Sequence, residues 1–383
     1  MHSMTAKLAG LALATVMAAA PALADGTYKI GINVPLTGFA AADGKSALTG
    51  AELAVEQINA AGGVNGKMLE LIVEDDQANP KQSVPAVIKM IESDGVVLGI
   101  SGSYSGATRA AAGIYQDAGV PYIAAFAIHP DITRAGDYVF RTSFVGIVQG
   151  RAGAKLVGED LGKKNVVIIT LNNDFGKSLA EGFKEKAAAY GITIVNEYNY
   201  GIKDRQFGSI VAKVKADNPD AIYASGYFFT AGPLVKQLRA GGVSATIIGQ
   251  EGYDSQKFID IAGKAAEGVI ITTSLDRDSD APETKSFIEA FEKKAGFKVD
   301  MVAASGHTAV KVAAAALAKA GDGDSKALRD ALAAITVEAS TGSISFNALG
   351  EVQKDVQVQI VRDGAWRHHS VISDAELLAP PSS

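Results

Sequence analysis

Short apolar, β-branched runs alternate with helical patterns along almost the whole chain, and this rhythm restricts the fold more than any other feature. YKIGINVPL (28–36), LELIVED (69–75), VVLGIS (96–101) and PYIAAFA (121–127) are separated by stretches of helical spacing. The first such stretch, from about Thr49, puts Leu53, Ala54 and Ile58 on one face and closes at Gly62-Gly63. The next opens with Asn79 as cap and Pro80 in its first turn. After Phe144 the rhythm restarts with VVIIT (166–170), ITIVNEY (192–198), AIYASGY (221–227), TIIGQ (246–250) and VIITT (269–273). Strands that are apolar throughout and alternate with helices build parallel sheets covered on both faces. The expectation is an α/β chain of two Rossmann-like lobes that divide near residue 145.

Beyond VIITT, two helices near 284–295 and 302–319 precede a hairpin-like GSISFNALGEV and a last strand, VQVQIV (356–361). This tail reads as helices completing one lobe and strands completing the other. The chain would then cross between lobes three times, near 142–147, 273–278 and 340–350, as a hinge of several strands. The expected lobes are 25–143 plus 277–342 and 144–276 plus 343–383.

Composition narrows the function. Lys7 precedes an apolar run from Leu8 to Ala20 and the triplet Ala22-Leu23-Ala24, so residues 1–24 read as a secretory signal peptide cleaved after Ala24. That places the mature chain in the periplasm. No later stretch reads as long and apolar enough to span a bilayer. The absence of cysteine excludes a lipid-modified cysteine, a disulfide framework and thiolate chemistry. A net charge of −6 argues against a nucleic-acid partner, since phosphate binding relies on an excess of Lys and Arg.

Several motifs imitate catalytic ones. TGFAAADGKS (37–46) resembles a phosphate-binding loop, but Gly38 and Gly44 have five residues between them where the motif has four. It reads instead as a polar loop with Lys45 on its surface. No GxGxxG follows the first strand and no GxSxG marks a nucleophile. His368 and His369 are adjacent, so on a strand they point to opposite faces and share no metal. No catalytic residue, metal site or cofactor is nominated.

In open α/β sheets, ligands sit beyond the carboxyl ends of the strands. The segments there are Pro35 to Asp43, Ser101 to Ala107, Phe126 to His129, Asn172 to Phe175, Tyr227 to Thr230 and Gln250 to Tyr253. In GISGSYSGATRAAAGIY (99–115) a helix starts directly on Ser105, Gly106 and Ala107. Its unpaired N–H groups and positive dipole end suit a carboxylate, although Ser105 could equally cap its own helix. Glu251 is a lone acid at a strand end, read either as a solvated loop carboxylate or as the partner of a ligand cation. Tyr227 offers a ring and a hydroxyl on the neighbouring strand, or is a core aromatic.

IGINVPLTG, TGAELAVEQINAAGGVNGKMLELIVEDDQANPKQ, SGATRAAAGIYQDAGVPYI, HPDIT, FRT, DFGKSLAEGF, FGSIVAKVKADNPDAIYASGY and GQEG span almost the whole mature chain. In this order they resemble the substrate-binding proteins of branched-chain amino acid ABC transporters, which have the type I periplasmic binding fold. The resemblance implies two lobes, a three-stranded hinge, a ligand trapped on closure and delivery to a membrane permease by a monomer. It matches Ser105, with the N–H groups of Gly106 and Ala107, to the site of a ligand carboxylate, and Tyr227 and Glu251 to the site of its ammonium.

The chain also departs from the family pattern. Phe126, Ala127 and Ile128 replace small and hydroxyl residues, Phe175 replaces a tyrosine, Asp43 stands near a usual aromatic, and His307 replaces a tyrosine. Two cysteines of some relatives align with Ala78 and Tyr104. An aliphatic amino acid remains the leading ligand because Glu251 asks for a cation. The bulk of Phe126, Ile128 and Phe175 makes an aromatic or other organic carboxylate, or an amide, the alternative.

Overall fold

The computed structural model describes residues 26–381, so the signal-peptide reading of residues 1–24 lies outside the described residues. The first half runs β1 (Thr27–Val34), α1 (Ala41–Ala60), β2 (Met68–Asp75), α2 (Pro80–Lys89), β3 (Leu98–Ser101), α3 (Ser105–Ala118), β4 (Tyr122–Ala124) and β5 (Val139–Arg141). Its five strands are all parallel, in the order β2-β1-β3-β4-β5. Asn79 caps α2 as expected, accepting the Lys81 N–H at 2.9 Å, with Pro80 at the first helical position.

One correction concerns α1, which starts at Ala41 and not near Thr49. A short 3-10 turn at Gly38–Ala40 leads into it, and Asp43 sits in its first turn, where a carboxylate meets the positive helix end. The stretch that imitates a phosphate loop is therefore largely helix, with Lys45 exposed on its side.

The second half runs α4 (Gly146–Lys155), β6 (Asn165–Leu171), α5 (Asp174–Ala187), β7 (Thr193–Tyr200), α6 (Gly208–Asp217), β8 (Ala221–Ala224), α7 (Phe228–Ala240), β9 (Thr246–Gly249), α8 (Gln256–Ala262) and β10 (Ile270–Thr273). The chain then returns to the first half through α9 (Pro282–Ala295) and α10 (Met301–Ala320), both packed on α1. Next come α11 (Ser325–Ala333) and the hairpin β11 (Thr336–Ala339) and β12 (Gly342–Ser345). It ends in β13 (Val356–Arg362) and β14 (Ala365–Ile372) on the second sheet, ordered β14-β13-β10-β9-β8-β6-β7.

That sheet is mixed, not parallel throughout, because β13 runs antiparallel to β10 and β14 antiparallel to β13. VQVQIV is also not the last strand. Asp363 and Gly364, at φ +52° and +70°, turn the chain back tightly, the Asp-Gly pair of a two-residue hairpin.

α10 overturns another expectation, being long and apolar enough by composition to cross a membrane. It is instead a core helix, with 83% of its most apolar window buried. Two glycines permit its close crossing with α1: a Cβ on Gly50 would lie 2.1 Å from the Ala303 carbonyl oxygen, and one on Gly306 would lie 2.3 Å from that of Ala47.

Candidate functional site

In the first sheet the strand order reverses between β1 and β3, and in the second between β6 and β8. A crevice opens beyond the strand ends at such reversals. The segments after β1, β3 and β4 there face those after β6, β8 and β9, and a cavity lies between them. Asp43, Ser105, Phe126 and Ala127 line it from the first half, and Phe175, Tyr227 and Glu251 from the second. Three expected residues stand apart. Gly106 lines an adjoining groove, while Ala107 and Ile128 are fully buried behind the wall.

Ser105 does not cap its helix. Tyr104 occupies the cap position with extended backbone, at φ −79° and ψ 160°, and Ser105 is the first helical residue. Its hydroxyl oxygen accepts the Ile128 N–H at 3.3 Å, so the hydroxyl proton stays available to an acceptor in the cleft. Ile128 thus serves through its backbone. The first N–H groups of α3 have no acceptor within their own helix, and its dipole puts positive charge at the same end. This end of the cleft suits an anion.

Glu251 stands opposite in composition, in a 3-10 turn just after β9. It is 3% exposed and neither carboxylate oxygen has a partner. Burial pushes it up to about 8, with Lys354 and Arg141 pulling down and Asp254 pushing up. The Lys354 ammonium donates to the Thr341 carbonyl at 2.9 Å and is itself held down to about 7 by burial. Gly252 brings the turn this close to the start of α7, since a Cβ there would lie 2.2 Å from the Gly226 carbonyl oxygen.

Aromatic rings close the cleft. Tyr227, the cap residue of α7, stacks on Tyr104 at 4.1 Å and on Phe175 at 4.8 Å. Its N–H donates to Thr230 at 3.1 Å, and its hydroxyl accepts from Asn173 at 3.3 Å. Phe39 and Phe229 extend the contact between the halves, with ring centroids 5.8 Å apart.

Sequence reasoning gave Tyr104 no ligand role, yet it lines the cavity and donates to the Asp43 carboxylate at 2.6 Å. Its place in the strand-to-helix turn beside Ser105 was the available signal. Phe228, Met301 and Val302 were missed too, the last two because they open a helix that reads as plain core. His307 lies away from the cavity, buried between Ser340 and Gln57, and burial holds it down to about 3. His368 bonds Asp276 at 2.8 Å, and among the described residues no group of three metal-ligating side chains forms.

Residues 27–365 match the family model described as periplasmic binding protein. The chain is 32% identical to the leucine-, isoleucine-, valine-, threonine-, and alanine-binding protein of Pseudomonas aeruginosa, covering 89% of this chain and 91% of that one. Among solved structures it is similar to the branched-chain amino acid transporter substrate-binding protein LivJ of Streptococcus pneumoniae in complex with isoleucine. There the TM-score is 0.85 and the identity 30%, over 90% of this chain and 99% of that one. A solute-binding protein of an ABC transporter from R. palustris in complex with benzoate superposes with TM-score 0.82 at 25% identity, over 90% and 96% of the two chains.

Proposed function

The chain belongs to the periplasmic binding protein family, and from that premise we propose that it captures a small amino acid of the aliphatic, branched-chain class and delivers it to an ABC-transporter permease. One observation carries this reading. The open N-terminus of α3 at Ser105 and the unpartnered, buried carboxylate of Glu251 line the same cavity, so a zwitterion finds an acceptor for its ammonium and donors for its carboxylate. A buried charge is stable only when it is paired, and an ammonium pairs Glu251. The relative that binds leucine, isoleucine, valine, threonine and alanine and the isoleucine-bound neighbour support this choice.

The same reading assigns the protein to the periplasm as a monomer, with its leader removed after Ala24. Its lobes are 25–143 plus 277–342 and 144–276 plus 343–383, moving about the three crossings, and it binds its ligand without turning it over. Calorimetric titration with leucine, isoleucine, valine and benzoate tests it. Saturable 1:1 binding of the amino acids supports the reading, whereas binding of benzoate alone sinks it. A benzoate-type carboxylate is the second reading, favoured by Phe126, Phe175 and Tyr227 in the wall and by the benzoate-bound neighbour.

A further inference from the structure

We infer that Asp43 selects among amino acids by their side chains, favouring those that bring a hydrogen-bond donor over aliphatic ones of the same size. The inference rests on the amino-acid part of that reading and departs from it in one respect, since it shifts the preferred side chain from purely aliphatic to donor-bearing.

Asp43 reaches the cavity from α1, an element that contributes neither Ser105 nor Glu251. It is 7% exposed, and among the described residues it has no ion-pair partner. One of its oxygens accepts the Tyr104 hydroxyl. Tyr104 precedes Ser105 in the chain, so the carboxylate lies one tyrosine side chain away from the backbone that opens α3. That is the place for the far end of a ligand whose own carboxylate sits on that helix. A carboxylate accepts about four hydrogen bonds, and Tyr104 supplies one.

Among the described residues no other side chain donates a hydrogen bond to Asp43. Met301, Val302, Phe126 and Phe228 are apolar, and the charged groups that act on Asp43 are Asp300, which repels it, and an exposed Lys257, which attracts it weakly. Burial accordingly raises the Asp43 carboxyl to about 7. An aliphatic side chain packed here would strip water from the carboxylate and return nothing, whereas a hydroxyl, amide or cationic side chain would return a donor. A site built around a buried polar group discriminates strongly against a ligand that leaves it unpaired.

The test compares near-isosteric ligands on the full chain by calorimetry, threonine against valine and glutamine against methionine. At least one pair should show a preference of roughly tenfold or more for the donor-bearing member. In Asp43→Leu that preference should vanish or reverse, with the aliphatic member binding at least as tightly as before. Asp43→Asn keeps the volume and an acceptor for Tyr104, and should shrink the preference even if Asp43→Leu fails to fold. Equal binding within both pairs by the unaltered protein, or an unchanged ratio in the variants, overturns the inference and leaves the amino-acid reading standing. Binding of benzoate with no amino acid bound overturns both.

Discussion

Tyr104 and Tyr227 lie face to face, with ring centroids 4.1 Å apart and planes 4° from parallel, although one precedes α3 in the first half and the other precedes α7 in the second. Each hydroxyl is held by its own half, Tyr104 by Asp43 and Tyr227 by Asn173. The stack therefore joins two preorganised walls. If the halves separate to release ligand, the contact exists only in the closed state, and its energy adds to affinity. A double-mutant cycle with Tyr104→Leu and Tyr227→Leu, read as ligand affinity, should give a coupling of about 0.5–1.5 kcal/mol. Independent, additive losses would show that the rings do not meet when ligand is bound.

Ser105→Ala should lower affinity by about 1–3 kcal/mol, because a buried ligand carboxylate loses a donor. It also leaves the buried Ile128 N–H without its acceptor, so ligand-free stability should fall by about 1–3 kcal/mol as well, although Tyr104 and not Ser105 holds the cap position. Comparing calorimetric affinity with the ligand-free melting temperature separates the two roles. A fall in stability with affinity unchanged would reduce Ser105 to support for the Ile128 N–H.

Glu251 gives a pH dependence of definite sign. Its folded pKa, about 8, exceeds the ordinary glutamate value of 4.5, so between those limits the unfolded chain binds fewer protons than the folded one. Its contribution is fully present below about 4.5 and is lost as pH rises towards 8. Asp43, raised to about 7, slopes the same way over its lower range, while Lys354, depressed to about 7, slopes oppositely above that pH. Glu251→Gln removes the first and, by taking away the charge that holds Lys354 up, extends the opposite slope of Lys354 to lower pH, so the ligand-free variant should gain melting temperature over the unaltered protein as pH rises from 5 to 7. An ammonium ligand selects the ionised carboxylate, so its affinity should rise with pH in that window and its binding should release a proton. Titrations in buffers of different ionisation enthalpy read this directly, and no proton release at pH 6 would remove the ammonium role.

How much of this was legible in the sequence follows from the range of each interaction. Strand periodicity is local, so both sheets and the segments beyond their carboxyl ends could be read directly, and Ser105, Tyr227 and Glu251 stand on those segments. The Asp43–Tyr104 bond spans a sequence separation of 61 residues and depends on α1 beginning at Ala41, where an alanine-rich run looked like loop. Tyr104 was therefore passed over. The Asp363-Gly364 turn did carry a local signal, the hairpin dipeptide, and overlooking it hid β14. An apolar helix such as α10 has the same composition whether lipid or protein surrounds it, and only its packing on α1 decides.

The pairing of Arg141 with Glu351 was equally out of reach, at a sequence separation of 210 residues, and it yields the sharpest stability prediction. Arg141 is fully buried and grips the Glu351 carboxylate twice, at 2.9 and 2.8 Å, while Thr133 donates to the same group. It ties the end of β5 to the segment after β12, two of the places where the chain passes between halves. A third donor, Nη1, holds the Ala127 carbonyl at 2.9 Å, and Ala127 lines the cleft. Glu351→Leu leaves the guanidinium buried without its counter-charge and should cost about 3–5 kcal/mol of stability. Arg141→Met should cost a similar amount and also weaken ligand binding, because the 126–128 segment loses its tether. Replacing both, by methionine and leucine, removes the orphaned charge and should cost clearly less than the sum of the single changes. Denaturant midpoints for the four proteins decide the matter, and strict additivity would mean that the two groups stabilise the fold independently of each other.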